Sequence, residues 1–473
     1  MQLLHDTTLL YTLIATIAAG GIVISRGQDS RTFGPLNQGK MYPWILPALA
    51  ILASSIFQFW IIMLPILPFA HPEVLIFCAL SVSLLAPVVL SRNPAHSARK
   101  FRELLSSRLR TTLSMILLVF YALVQPLAFL YLADHTLSHY FMNSGYFLLV
   151  FLIVVAGICA LIGGKNISTY MSMPFVLTIV VLAIGVSYFG IKIPELLAFL
   201  RFPMEEAEHF FIERNVAESN WIYGTAGFCA VSWWIWWSDK GVLVASEMSD
   251  EEANPRSTVV ASIVCVGLAL VLLSLRSSGI VLQTNSSMGP SLFLRQNDVF
   301  TFFLLFGLVS VFISAFVQSF QIIGRVVQAY LISAVLQREK SEKHRLAARL
   351  AISSGVLVSI FVIPFVQQSG VELVFVYLAY LACFATPLSA LFVVFLIWRD
   401  RSETGMIAGF VGGLSGGIIA MTALFLERKP GQDSWLSLYE IAAGIFLVSA
   451  ACTICGIYLH SSRVYLRLSS KEP

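Results

Sequence analysis

Residues 298–325 read DVFTFFLLFGLVSVFISAFVQSFQIIGR, a long apolar run with several polar side chains in its second half. The hydrocarbon core of a bilayer is about 30 Å thick, and about 20 helical residues cross it. The run is therefore long enough to predict a transmembrane helix. Polar and charged side chains inside such a helix are candidates for function.

The same pattern extends along the whole chain in both directions from this run. Of the 473 residues, 58% are hydrophobic and 12% are charged, whereas a soluble protein has about 25% charged residues. Most of the surface is therefore expected to meet lipid. The sequence predicts an all-α membrane protein with about thirteen transmembrane helices, at residues 7–25, 42–65, 72–91, 111–134, 144–163, 168–190, 219–238, 257–276, 298–325, 347–366, 372–397, 404–426 and 437–460.

The distribution of basic residues predicts the orientation of these helices. Cytoplasmic segments carry an excess of lysine and arginine. If the N-terminus lies outside and the helices alternate, most of the 30 lysines and arginines fall in cytoplasmic segments. The prediction is a multi-pass protein of the cell membrane, plasma or bacterial inner, with the N-terminus outside and the C-terminus in the cytoplasm. The net charge of +4 is too small and too scattered to indicate nucleic-acid binding.

Several kinds of chemistry are disfavoured. The seven cysteines lie in apolar runs, and the Cys452–Cys455 pair lies in an apolar helix with no second pair nearby. His135 and His139 have metal-ligand spacing, but they lie in an outer loop without an obvious third ligand. Asp, Glu and His are nearly absent from the spans, so convergent catalytic groups are not expected there. We predict that the protein is not an enzyme and has no organic cofactor.

The second span contains polar residues in its middle, namely Ser54, Ser55 and Gln58, with Trp60 shortly after them. Such groups must face protein or water, because lipid offers no hydrogen bonds. Two interpretations stay open. They line a solute site, or they pack helices together through small residues.

The seventh span has two unusual parts. Tyr223, Gly224 and Thr225 lie early in it and suit a break near the middle of the membrane. Four tryptophans follow in the run WWIWW at 233–237, before Asp239. These tryptophans form either a cage for a cation or, as we favour, the aromatic belt at the membrane surface.

With these segments quoted, the chain resembles the sodium:solute symporter family. The resemblance covers residues 7–397. It includes the basic segment and helix at 101–132, the glycine pair Gly163–Gly164, the WWSD end of the seventh span at 236–239, and the basic stretch at 342–349. Members of that family carry sugars, amino acids, carboxylates and vitamins with sodium.

The resemblance implies the leucine-transporter fold, in which two five-helix repeats have inverted orientation. Here it implies one N-terminal helix at 7–25, the repeats at 42–190 and 219–397, and two C-terminal helices within 404–460. All of these belong to a single transmembrane domain, 1–473. The second and seventh spans would be the broken pair that forms the solute site.

The resemblance also implies a sodium site between the second and ninth spans. Its ligands would be backbone carbonyls near Ala53, Ile56 and Ala315, and the side chains of Gln318 and Ser319. Ser319 supplies the expected hydroxyl, whereas Gln318 stands where the family has a second hydroxyl. An amide oxygen is still a hard ligand of the kind that such cations take.

Other positions depart from the family pattern. Met171, Ser172 and Phe175 replace its Thr, Asp and Gln after the glycine pair, and Arg325 replaces an Asn. Arg325 either takes the electrostatic place of the ion or extends towards the cytoplasmic surface. Together with Asp239 it is our candidate for coupling or gating. Coupling to sodium, to protons or to neither ion stays open at this point.

The leading hypothesis is secondary active symport of a small polar solute by alternating access. The residues expected to line the solute site are Ser54, Ser55, Gln58, Trp60, Tyr223, Gly224 and Thr225. The expected partners are the lipid bilayer and the solute, and the coupling cation is expected to be sodium or a proton. The alternatives are a membrane sensor or scaffold that has lost transport, and a carrier of the betaine/choline type, which the tryptophan run resembles.

Overall fold

A computed structural model describes residues 7–29, 115–140, 145–163, 298–327, 341–369, 372–397, 402–427 and 435–469, together with positions 167, 170, 171, 174, 226, 227 and 229–231. The described part is helical throughout, which confirms the all-α class. The predicted spans at 42–65, 72–91 and 257–276 lie outside the described residues. Those at 168–190 and 219–238 are described at a few positions only.

The described helices begin and end close to the predicted spans. The predicted span 298–325, for example, is the helix Asp298–Val326. The helices are α1 (Thr7–Asp29), α2 (Gln125–Tyr140), α3 (Tyr146–Ile162), α4 (Asp298–Val326), α5 (Ser341–Ser369), α6 (Glu372–Tyr380), α7 (Thr386–Ile397), α8 (Glu403–Glu427) and α9 (Trp435–Ser469).

Seven helical segments in the described part are long and apolar enough to cross a bilayer. The chain is therefore a multi-pass membrane protein. α5 shows a surface suited to lipid, because Phe361 is 81% exposed and Phe365, Leu357 and Leu350 are also exposed. In a bilayer these apolar side chains meet acyl chains instead of water.

Two helical turns are widened into π-helix, at Phe120–Val124 before α2 and at Leu381–Ala385 between α6 and α7. In each case a proline stands two positions after the last residue of the turn, at Pro126 or Pro387. Proline has no backbone N–H, and its ring clashes with the carbonyl four residues earlier. A π turn relieves this clash, and such turns frequently mark functional sites.

The chain divides into two compact units. In the described part, the first unit contains α1 to α5, and the boundary between the units falls inside α6, after Val374. Within this first unit, α4 packs against α1, α2, α3 and α5, and its segment Val309–Val326 is almost entirely buried. α4 and α5 approach closely where Gly324 lies against Ile352 and Gly355 lies against Ile323.

The second unit is held together by close contacts among α7, α8 and α9. Ser449 of α9 directs its hydroxyl to the carbonyl oxygens of Gly409 (2.9 Å) and Pro387 (3.2 Å). A glycine occurs every fourth residue along one face of α8, a spacing that lets helices approach closely in membranes. These glycines are Gly405, Gly409, Gly413 and Gly417.

Gly417 and its neighbour Gly416 give a matched test of this packing. A Cβ atom on Gly417 would overlap the backbone carbonyl of Cys383, whereas one on Gly416 meets nothing within 4 Å. We expect Gly417→Ala to lower the free energy of unfolding by about 1–3 kcal/mol through overpacking. Gly416→Ala should be neutral or stabilise by up to about 1 kcal/mol, because alanine favours helix.

The apparent midpoint of thermal unfolding of the purified protein in detergent measures both effects. A lower midpoint for Gly417→Ala only is the expected result. Equal midpoints for the two variants would contradict the close packing of α8 against the π turn.

Candidate functional site

A buried polar pair joins α2 and α4 within the first unit. The side-chain amide of Gln125 donates a hydrogen bond from Nε2 to the hydroxyl of Ser319, with an N···O distance of 3.0 Å. The Ser319 hydroxyl in turn donates to the carbonyl oxygen of Ala315, at 2.9 Å. Ser319 is 0% exposed and Gln125 is 2% exposed. Polar groups buried to this extent need hydrogen-bond partners. The Gln125 amide and the Ser319 hydroxyl are partners of each other.

Local helix geometry explains this arrangement. Ala315 and Ser319 are four residues apart, so the hydroxyl lies over the carbonyl of the preceding turn and can bond to it. Gln125 follows directly after the π turn, and its backbone N–H donates to the Phe120 carbonyl. A π turn contains one extra residue, which rotates the side chains after it by about 100°. The turn that Pro126 requires therefore also sets the direction of Gln125.

Three aromatic rings lie on the same two helices within about one turn of the pair in sequence. Phe129 of α2 and Phe316 of α4 meet edge to face, with ring centroids 6.3 Å apart. Phe316 also stacks on Phe320, at 6.3 Å. All three rings are fully buried. Such surroundings have a low dielectric, which strengthens a satisfied hydrogen bond and makes an unsatisfied one costly.

Gln318 and Arg325 lie on a different face of α4 from Ser319. They are seven residues apart, which is close to two full turns, and both are half-buried. Arg325 lies in the last turn of the described helix.

Met171 lies in the first unit against α1. It is fully buried, and its terminal atoms fill the space in which a side chain on Gly21 would stand. A thioether is a soft group that hard cations do not select. Position 171, where the resembled family has a hydroxyl, therefore offers apolar packing instead of an oxygen ligand.

The remaining predicted site residues lie outside the described residues. These are Ala53, Ser54, Ser55, Ile56, Gln58, Trp60, Tyr223, Gly224, Thr225 and Asp239. In the part that the structure describes, no three His, Cys, Asp or Glu residues cluster as a metal site would require. The described polar groups beside the Ser319 hydroxyl are the Ala315 carbonyl oxygen and the Gln125 amide, and the amide presents its N–H group, which is a hydrogen-bond donor and not a cation ligand.

Gln125 is the residue that sequence reasoning missed. Its signal was present, because it is a lone amide in the otherwise apolar run FYALVQPLAFLYL at 120–132 and it precedes a proline. A proline inside an apolar span predicts a local break in helical geometry. Nothing in the local pattern indicated that its partner lies 194 residues away.

The described helices define a multi-pass membrane protein, and two known proteins are similar to this chain. No family model matches the chain. The sodium/mannose cotransporter of Bos taurus is 23% identical over 295 residues, which cover 54% of this chain and 49% of that protein. The chain thus aligns with about half the length of this curated relative.

A solved structure of a Na⁺-coupled sialic acid symporter, in a substrate-bound outward-open state, is similar to this chain. The match covers 94% of this chain and 96% of the symporter chain. The TM-score is 0.60 and the sequence identity is 13%. The chain therefore has a fold like that of the sodium:solute symporters, as the resemblance implied. Both similar proteins are transporters rather than enzymes.

The buried pair predicts a measurable asymmetry between two serines of α4. Ser319→Ala leaves the Gln125 amide buried without its acceptor and should cost about 1–3 kcal/mol of stability. Ser310 is equally buried, but among the described residues its hydroxyl bonds only to the Gly307 carbonyl of its own helix. Ser310→Ala should cost less than about 1 kcal/mol.

Unfolding measurements on Ser319→Ala, Gln125→Met and the double variant complete the comparison. The double-mutant cycle should give a coupling energy of at least about 0.5 kcal/mol. Additive effects of the two substitutions would show that the pair does not interact.

Proposed function

We propose that this protein is a secondary active transporter that moves a small polar solute across the membrane together with a cation, by alternating access. The observation that carries the proposal is the match of nearly the whole chain to the fold of a Na⁺-coupled symporter. The similarity to a sodium/mannose cotransporter supports the same class of activity.

The cation is proposed to bind at Ser319, and sodium is the ion we favour. Its ligands would be the hydroxyl of Ser319, the carbonyl oxygens of Ala53, Ile56 and Ala315, and the amide oxygen of Gln318. These are hard oxygens, which alkali and alkaline-earth cations prefer. The buried Ser319–Ala315 pair supports this proposal, because two of the five groups already lie within 3 Å of each other.

The solute site is proposed to use the polar and interrupted segments of the second and seventh spans. Its lining would be Ser54, Ser55, Gln58, Trp60, Tyr223, Gly224 and Thr225. Arg325 and Asp239 are assigned to coupling or gating. The similar proteins carry sialic acid and mannose, so a polyhydroxylated solute is a suitable first candidate.

Coupling requires that ion and solute each bind one state of the carrier better than the other. The ion gradient then supplies the driving force. A tenfold sodium gradient contributes about 1.4 kcal/mol, and a potential of 100 mV contributes about 2.3 kcal/mol per charge. Together they allow roughly 500-fold accumulation of a solute that moves with one sodium ion.

Uptake into proteoliposomes tests the proposal. Labelled mannose, sialic acid, amino acids and carboxylates are offered under an inward sodium gradient, with potassium or proton gradients as comparisons. We expect one solute class to accumulate above its outside concentration, and a sodium ionophore should abolish the accumulation. Ser319→Ala should reduce sodium-driven uptake at least tenfold, whereas Ser310→Ala should retain it. Binding of a solute without accumulation under any gradient would contradict the transporter and indicate a sensor.

A further inference from the structure

We propose that Gln125 is an internal competitor of the cation: its side-chain amide binds the Ser319 hydroxyl, and a cation must displace that amide in order to bind. This inference rests on the proposed cation site at Ser319. Gln125 lies on α2, and the resemblance assigned no ligand to that helix.

The first step is an account of the lone pairs of Ser319. A serine hydroxyl has one hydrogen to donate and two lone pairs. Its hydrogen goes to the Ala315 carbonyl, and one lone pair accepts from Nε2 of Gln125. One lone pair is left, but a cation bound there would lie beside the amide hydrogen that Nε2 of Gln125 directs at the same oxygen.

The second step concerns the Ala315 carbonyl. In an α-helix this oxygen accepts the backbone N–H of the residue four positions later. It also accepts the hydroxyl hydrogen of Ser319. Both oxygens proposed as cation ligands thus already hold hydrogen atoms, which carry partial positive charge. A cation at the same oxygens meets repulsion unless a donor moves away.

The third step identifies the donor that moves. The backbone N–H is held by the helix, and the Ser319 hydrogen can turn only about its own Cβ–Oγ bond. The Gln125 side chain has three rotatable bonds and can withdraw its N–H groups. Among the described residues, its side chain hydrogen-bonds only to Ser319. The amide can therefore rotate away, and its movement breaks the hydrogen bond between α2 and α4.

The fourth step concerns the energetic consequence. Phe129, Phe316 and Phe320 make the surroundings apolar, so little water is available to replace the amide. Removing the amide leaves the Ser319 lone pair unsatisfied, and such a group gains more from an incoming cation. A variant without the amide should therefore bind the cation more tightly than the natural protein does.

The test uses the purified full-length protein and Gln125→Met, which keeps the length of the side chain and removes its donors. The midpoint of thermal unfolding is followed against sodium chloride, with choline chloride holding the ionic strength constant. We expect the half-saturating sodium concentration of Gln125→Met to fall about 2- to 10-fold, the equivalent of one hydrogen bond. Gln125→Leu should behave in the same way and serves if the methionine variant does not fold. Ser310→Ala is the matched control and should leave the half-saturating concentration unchanged.

Each other result has a definite meaning. A higher half-saturating concentration in both Gln125 variants would overturn the inference, because the amide oxygen would then be a ligand. An unchanged half-saturating sodium concentration would also overturn the inference, because Gln125 would then have only a structural role. If the natural protein shows no sodium response and Gln125→Met gains one, the inference stands. If neither responds, the inference fails, while accumulation driven by a proton gradient would leave the transporter proposal intact.

Discussion

Lipid offers no hydrogen-bond partners, and this constraint governs every polar group inside the described helices. A helix pairs its own backbone N–H and C=O groups in hydrogen bonds. Polar side chains, and the backbone groups that a proline leaves unpaired, therefore need hydrogen-bond partners from elsewhere in the protein. Here Pro126 and Pro387 are each preceded by a π turn. Beside the first turn, a glutamine and a serine from distant parts of the sequence satisfy each other. The same constraint thus produces both the irregular helix and the candidate site.

The Gln125–Ser319 hydrogen bond adds little net stability, but it can favour one conformation of the carrier over another. Hydrogen bonds between membrane helices contribute about 0.6 kcal/mol on average, because the separated helices also find partners. Leaving one partner buried and unsatisfied costs about 1–3 kcal/mol. The hydrogen bond therefore contributes little net stability, whereas losing one partner leaves the other unsatisfied at a larger cost. A ligand that replaces one partner can shift the free energy of the pair strongly for this reason. If a cation binds at Ser319 as proposed, such a contact links its binding to the packing of α2 against α4.

Much of the helical framework could be predicted, because an apolar run of fixed minimum length has one stable form in lipid. The run 298–325 became the helix Asp298–Val326, and the run 404–426 became Glu403–Glu427. The glycines every fourth residue in the latter pack closely, and the approach of Gly417 to the Cys383 carbonyl was not predicted. The buried pair could not be predicted, because hydropathy shows which residues enter the membrane and not which faces meet. Gln125 and Ser319 become neighbours only through the packing of α2 against α4.

Cryo-EM structures of the protein in sodium and in choline test the central claim most directly. The quantity to measure is the distance between Nε2 of Gln125 and Oγ of Ser319. We expect a hydrogen bond near 3.0 Å in choline. In sodium we expect a separation beyond about 3.5 Å, with density for an ion beside the serine oxygen. An unchanged hydrogen bond in both conditions, with no ion at Ser319, would contradict the account.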